Sequence, residues 1–152
     1  MVYSVKITSE DGEEIIEIGN EESEASAITD VEIKLDTINN EVKEKAMGML
    51  AKIKIKGVIL DSSDNPDSKQ KYIDLFDWAK SLSKEKWYRT VEIKIYTDEN
   101  REEVYRKYQF EKVFVVDYFE KYSSSTSKDS KGDTFELYLT QKENNFKSID
   151  SY

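Results

Sequence analysis

Apolar and polar residues alternate most regularly between residues 88 and 142, and that stretch predicts three consecutive antiparallel strands. In the first, Val91, Ile93 and Ile95 share one face while Thr90, Glu92, Lys94 and Tyr96 take the other. In the last, Phe135, Leu137 and Leu139 oppose Thr134, Glu136, Tyr138 and Thr140. Residues 104–122 between them are richer in aromatic and β-branched side chains. Strict alternation there puts Phe114, Val116 and Tyr118 on one face and Val113, Val115 and Phe119 on the opposite one. A strand apolar on both faces needs cover on both, from its own domain or from another subunit.

The earlier half carries shorter patterns. Tyr3, Val5 and Ile7 alternate with Ser4, Lys6 and Thr8; Ser9-Glu10-Asp11-Gly12 signals a turn, and Ile16 and Ile18 complete a hairpin over residues 2–18. Residues 19–27 read as an acidic loop. Val31, Ile33 and Leu35 predict another strand. A short helix is expected over residues 40–51, capped by Asn39 or Asn40, with Val42, Ala46, Met49 and Leu50 on one stripe. Gly48 weakens it by about 1 kcal/mol relative to alanine. Ile53 and Ile55 then alternate with Lys52, Lys54 and Lys56. After the loop DSSDNPDS, Tyr72, Leu75, Phe76, Ala79 and Leu82 form the apolar stripe of the main amphipathic helix, which packs beside the sheet. Residues 97–103 read as a charged turn and 122–132 as a serine-rich loop. Residues 143–152 are either a flexible tail or a segment lying on a neighbour through Phe146, Ile149 and Tyr152. With no repeat and no long linker, residues 1–152 form a single, mainly β (α+β) domain.

Composition narrows the function. Aromatic residues make up 12% of the chain, ten of them tyrosines, which argues against disorder and suits half-exposed sheet faces and interfaces. A formal net charge of −9 opposes phosphate neutralisation, so direct sequence-specific nucleic-acid binding is not expected. The sequence contains neither cysteine nor histidine. Disulfides, thiolate or imidazole metal ligands and every histidine-based triad are therefore excluded. No apolar run reaches membrane-spanning length and residues 1–4 lack signal-peptide anatomy, so no membrane insertion and synthesis in a cytoplasm are expected. Export by a dedicated machine, or incorporation into a virion-like particle, would leave no mark of that kind.

The candidate chemistry is thin. Carboxylate pairs such as Glu13-Glu14, Glu21-Glu22 and Glu102-Glu103 are unavoidable among 32 acidic residues and read as solvated faces. Asp61, Asp64 and Asp67 offer oxygen ligands, but their loop lacks the glycine and glutamate that an EF-hand needs. No phosphate-cradling glycine motif occurs. Lys52, Lys54 and Lys56 form a basic stripe better explained by a polar sheet edge or by salt-bridge partners than by RNA. No catalytic, cofactor or metal site is expected. One reading from the residues is a monomeric β-rich module binding peptide or glycan through Tyr88, Tyr96, Tyr105 and Tyr138; the other is a self-associating scaffold.

Residues 71–142, about half the chain, run from the main helix into TVEIKIYT, then through YQFEKVFVVDYFEKY and a polar loop to DTFELYLTQK. This order resembles the tail-tube family, which comprises the type VI secretion tube proteins (haemolysin-coregulated protein, Hcp) and the tube proteins of contractile phage tails and related injection systems. The N-terminal half matches the pattern poorly. Residues 40–51 carry a helical pattern where many Hcp proteins have a long extended loop, and glycine-rich loops are missing. The resemblance implies two packed antiparallel sheets forming a β-barrel or sandwich with the main helix at one side. It also implies self-association into a six-membered ring, stacking into a tube that conducts cargo, and sheath, baseplate or cargo proteins as further partners. In that family the excursion before the helix touches the adjacent subunit or ring; by position it corresponds to residues 38–52, which would make Val42, Met47, Met49 and Leu50 contact residues. Val113, Val115 and Phe119 of the doubly apolar strand join them as interface candidates.

Overall fold

The hairpin forms where alternation placed it. In a computed structural model that describes residues 1–21, 24, 26–37, 49–59, 69–124, 132–142 and 150–152, β1 (Val2–Ser9) pairs with β2 (Ile15–Ile18), Val5 opposite Ile18 and Ile7 opposite Ile16. Asp11 closes the turn by accepting from the Ser9 hydroxyl (2.6 Å) and the Glu13 N–H (2.9 Å). Those two bonds hold its carboxyl below the usual range.

The remaining elements are β3 (Ile28–Thr37), β4 (Met49–Val58), α1 (Gln70–Lys80), α2 (Lys84–Trp87), β5 (Arg89–Tyr96), β6 (Val104–Lys121), β7 (Thr134–Gln141) and β8 (Asp150–Ser151). All ladders are antiparallel, in the order β2-β1-β5-β6-β7-β4-β3. The long strand β6 is shared. Its first half pairs with β5 and its second half with β7. The register breaks near Lys112, which takes the left-handed conformation (φ 57°).

The two halves of the strand order pack face to face. Val5, Ile7, Val91 and Ile93 of one and Ile53, Ile55, Leu137 and Leu139 of the other are fully buried in a common core. Each such side chain contributes about 1.5–3 kcal/mol by leaving water. This is the expected pair of packed antiparallel sheets, a sandwich. Among the described residues no ladder joins β2 to β3, so the sheet does not close into a barrel there.

The main helix α1 lies over the side of the sandwich between β2 and β6. Its buried residues are Tyr72, Leu75 and Trp78. The expected stripe therefore needs correcting: Phe76 is half exposed, and Leu82 is 94% exposed because the helix stops at Lys80. Trp78 has more apolar area to bury than Phe76 and draws the helix round. Its indole N–H donates to the Trp87 carbonyl (2.8 Å), while the Trp87 indole donates to the Ser81 carbonyl (2.7 Å). The two bonds lock the corner between α1 and α2.

A second correction concerns the expected helix over residues 40–51. Met49, Leu50 and Ala51 begin strand β4, opposite Thr37, Asp36 and Leu35. The alternation that buries Ile53 and Ile55 simply continues back to the buried Ala51. The ladder to β3 starts at Met49 and β7 joins on the other side from Lys52, so backbone partners are available here without a helix. The rest of that expectation, residues 40–48, lies outside the described residues.

Candidate assembly surface

The outer face of β3, β4, β7 and β6 is built as cross-strand rows. Glu32, Lys54, Tyr138 and Asp117 stand side by side in one row; Lys34, Lys52, Thr140 and Phe114 form the next. Between them lies a shallow depression of about 760 Å³, bordered by Glu32, Lys34, Lys54, Val116, Asp117 and Tyr138. The basic stripe is neutralised in place. Lys52 and Lys34 reach Asp36 (3.3 and 3.5 Å), Lys54 reaches Glu32 (3.5 Å) and Lys56 reaches Glu136 (3.1 Å). The Lys52 hydrogen bond lowers the Asp36 carboxyl from its usual range, and the Lys56 bond does the same for Glu136. Glu136 in turn raises Lys56. Such a face presents alternating charge and no free basic patch for phosphate.

The strand order also leaves two sheet edges. Beyond β2 at one end and β3 at the other, no further strand is paired among the described residues. The β3 edge is the longer, ten residues against four, and carries the half-exposed Leu35. An unpaired edge of that length offers a row of backbone donors and acceptors to another strand.

The predicted interface residues fall into three groups. Val42 and Met47 lie outside the described residues. Met49 and Leu50 sit at the start of β4, beside Thr37 and Asp36, with Leu50 half-buried. The β6 set does not share one face. Val115 opposes Leu139 while Asp117 opposes Tyr138, so Val116 is an extra residue and the alternation changes phase across it. Val113 and Val115 turn into the core before this bulge, and Tyr118 does so after it. Val113, fully buried, therefore offers nothing to a neighbour, whereas Phe119 and Val116 are 53% and 52% exposed. Phe119 rests edge-on against Tyr138, centroids 5.9 Å apart.

Of the four tyrosines proposed for a peptide or glycan site, Tyr105 is exposed and the other three have separate surroundings. Tyr88 contacts Phe114 and lies under the Lys142 ammonium. Tyr96 lies under the Arg101 guanidinium, and Tyr138 bonds Glu136 and packs with Phe119 and Lys54. A tyrosine cluster that alternation did not reveal occurs at the end of β6, where Tyr118 and Tyr122 both donate to Glu120 (2.7 and 2.8 Å). Burial pushes the Tyr118 phenol far above its ordinary value, and the Glu120 bond adds to this. Among the described residues no group of three or more acidic side chains is placed to hold a metal. No helix among them is long and apolar enough to cross a membrane. The aspartates of the DSSDNPDS loop lie outside the described residues.

No protein-family model matches the sequence, and no curated protein matches it. Solved structures do. The Hcp1 protein from E. coli EAEC 042 superposes with a TM-score of 0.58 at 14% identity, over 100% of this chain and 98% of its own. An Hcp protein crystal structure gives a TM-score of 0.61 at 9% identity over the same shares of the two chains. The chain has the Hcp-like tail-tube fold. A chain of the PVC sheath–tube complex, from an extracellular contractile injection system, agrees less closely, with a TM-score of 0.51 at 10% identity over 99% of this chain and 88% of its own. The Hcp fold thus spans the N-terminal half too, where the sequence pattern alone matched poorly.

Proposed function

We propose that this chain is a structural subunit of a ring or stacked tube in a contractile injection or secretion system, working as a conduit and catalysing nothing. The observation that carries the reading is the agreement of the whole chain, end to end, with the Hcp fold. Fold alone does not fix function, so the surface has to be compatible. It is: among the described residues the strand order ends in two different unpaired edges, a geometry suited to head-to-tail contacts that close into a ring. The outer face is charge-balanced, its lysines paired with carboxylates. A net charge of −9 keeps polyanionic cargo from adhering.

In this reading the subunit's first partner is itself, in rings that number six subunits and stack. Sheath, baseplate and cargo proteins follow as partners, and the particle acts outside the compartment where the chain is made. Val42, Met47, Met49, Leu50 and Phe119 are the proposed contact residues. Size-exclusion chromatography combined with negative-stain microscopy tests it: ring-shaped particles or tubes are expected at high protein concentration. A strictly monomeric species at the same concentration overturns the proposal.

A further inference from the structure

The strand β8 continues the line of β7 along the same edge of β6, with a surplus of chain between them. In an unbroken strand carrying on from the Val113–Gln141 pair, the residue opposite Gln109 would be Asn145; it is Asp150, five residues later. Past that pair Lys107 and Tyr152 exchange both backbone hydrogen bonds, at 2.6 and 3.0 Å. The Lys107 ammonium also lies 5.1 Å from the centre of the Tyr152 ring. Lys142, whose N–H donates to the Lys112 carbonyl (2.7 Å), marks where the surplus begins. From there to the Gln109 level is about 10 Å along β6. The eight peptide steps from Lys142 to Asp150 reach up to about 26 Å when extended.

We infer that residues 150–152 are an exchangeable strand that, in the assembled state, seats on the β6 edge of a neighbouring copy. The inference rests on the proposed self-association. The seat is shaped for this segment, since the segment occupies it within one chain, and a second copy presents the same edge. Exchange remakes identical hydrogen bonds, so the contacts themselves favour neither arrangement. What decides is proximity. In solution the chain's own segment has the higher effective concentration; in a ring a neighbour's segment is held close as well and competes with it. Once exchanged, subunits are tied by a strand that must unzip before they part.

The absence of cysteine gives a clean test. Tyr108 and Ser151 are opposite each other, one step from the doubly bonded Lys107–Tyr152 pair. They form a non-hydrogen-bonded pair, whose Cα separation suits a disulfide. The variant Tyr108→Cys/Ser151→Cys is oxidised and run on non-reducing gels, with a micrograph of the same sample. A mixture of the two single variants, assembled together, is run alongside. This arm reads only links between chains and shows whether each substitution alone permits assembly. The expected result is rings that yield a ladder of covalent oligomers, together with mixed covalent dimers from the single variants. Rings with only monomeric covalent product overturn the exchange and leave the ring reading standing. Covalent dimers without rings support the exchange and overturn the ring reading. A monomer by every measure overturns both.

Discussion

Gly57 lies directly under the Ala27 carbonyl: a methyl group on its Cα would sit 2.0 Å from that oxygen and 2.6 Å from the Phe135 ring. The close approach lets the Val58 N–H donate to the same carbonyl at 2.8 Å, binding the segment before β3 onto the end of β4, where β7 begins. Neither a backbone oxygen nor a buried ring can yield by so much. Gly57→Ala is therefore expected to cost about 3 kcal/mol or more, at the upper end of overpacking effects. Gly12→Ala, at φ +78° with open space around it, meets only backbone strain and is expected to cost about 1 kcal/mol. Urea denaturation midpoints of the two variants check the ranking; equal losses would show that Gly57 is not closely packed.

The bulge at Val116 separates two residues that strict alternation placed together. Val113→Ala opens a void in the sealed core and is expected to lower stability by about 1–3 kcal/mol. Phe119→Ala removes a half-exposed ring packed on Tyr138 and is expected to cost about 1 kcal/mol or less. On the proposed function Phe119→Ala reduces ring formation while the monomer stays folded. Thermal denaturation and particle counts in micrographs separate the two effects.

That bulge also marks the limit of what the sequence could tell. Residues 2–18 and 88–142 were legible because one face of each strand meets the core and the other meets water, so period two is written into residue choice. Phe114, Val115 and Val116 are all apolar, and a phase change inside an apolar run leaves no trace in the pattern. Met49, Leu50 and Ala51 fit a helical stripe and a strand equally well; pairing with Leu35–Thr37 decided the matter, and no local signal could. The pairing of Asp150 and Ser151 with β6 depends on a partner some forty residues away and on no alternation of their own. The ion pairs of Lys52, Lys54 and Lys56, by contrast, followed from the strand pattern and the excess of acid.

Stability at low pH depends on exposed carboxylates with lowered pKa values. Asp11, Asp36 and Glu136 are each held below their ordinary values of 3.8, 3.8 and 4.5 by hydrogen bonds in the folded state. Their contribution is complete above those values and is lost as pH falls through the lower folded ones. Lys56 runs the other way: raised above 10.5, it contributes fully below that value and is lost as pH rises through its folded pKa. Glu136→Gln is thus expected to lower the melting temperature slightly at pH 7 and hardly at all at pH 2. The difference should shrink in high salt, because these groups are solvent-exposed. Melting curves at the two pH values and two salt concentrations check this.

An alkaline limb should come from the tyrosine cluster. Tyr118, Tyr122 and Tyr138 all have phenols raised above the ordinary 10.0, Tyr118 through burial, Tyr122 through its bond to Glu120, and Tyr138 through lost solvent. Above pH 10 the unfolded chain releases these protons while the folded one retains them, so stability falls as pH rises. Absorbance titration of the phenolates should show a late-ionising group in the native protein that joins the rest on unfolding. Tyr118→Phe is expected to reduce that late amplitude. An unchanged titration would remove burial as the cause.

Arg89 is the buried charge whose loss should separate pairing from packing. Its side chain is 7% exposed, its guanidinium lies 5.4 Å from the Trp78 ring centre, and it donates to Glu14 at 2.6 Å. Among the described residues its Nε has no hydrogen-bond partner. Glu14 is itself 62% exposed, so inspection of that residue alone suggests a surface pair of little value. The asymmetry reverses the expectation. Glu14→Gln leaves a sequestered cation without its carboxylate and is expected to cost about 1–3 kcal/mol, less than a wholly buried pair because water reaches the outer partner. Arg89→Met keeps the packing on Trp78 and removes the charge that needs a partner, so it should cost less than Glu14→Gln. In the double variant, Glu14→Gln should add almost nothing to Arg89→Met. Chemical denaturation of the four proteins of this cycle measures the coupling directly, and additive losses would mean that the Glu14 contact contributes nothing to the fold.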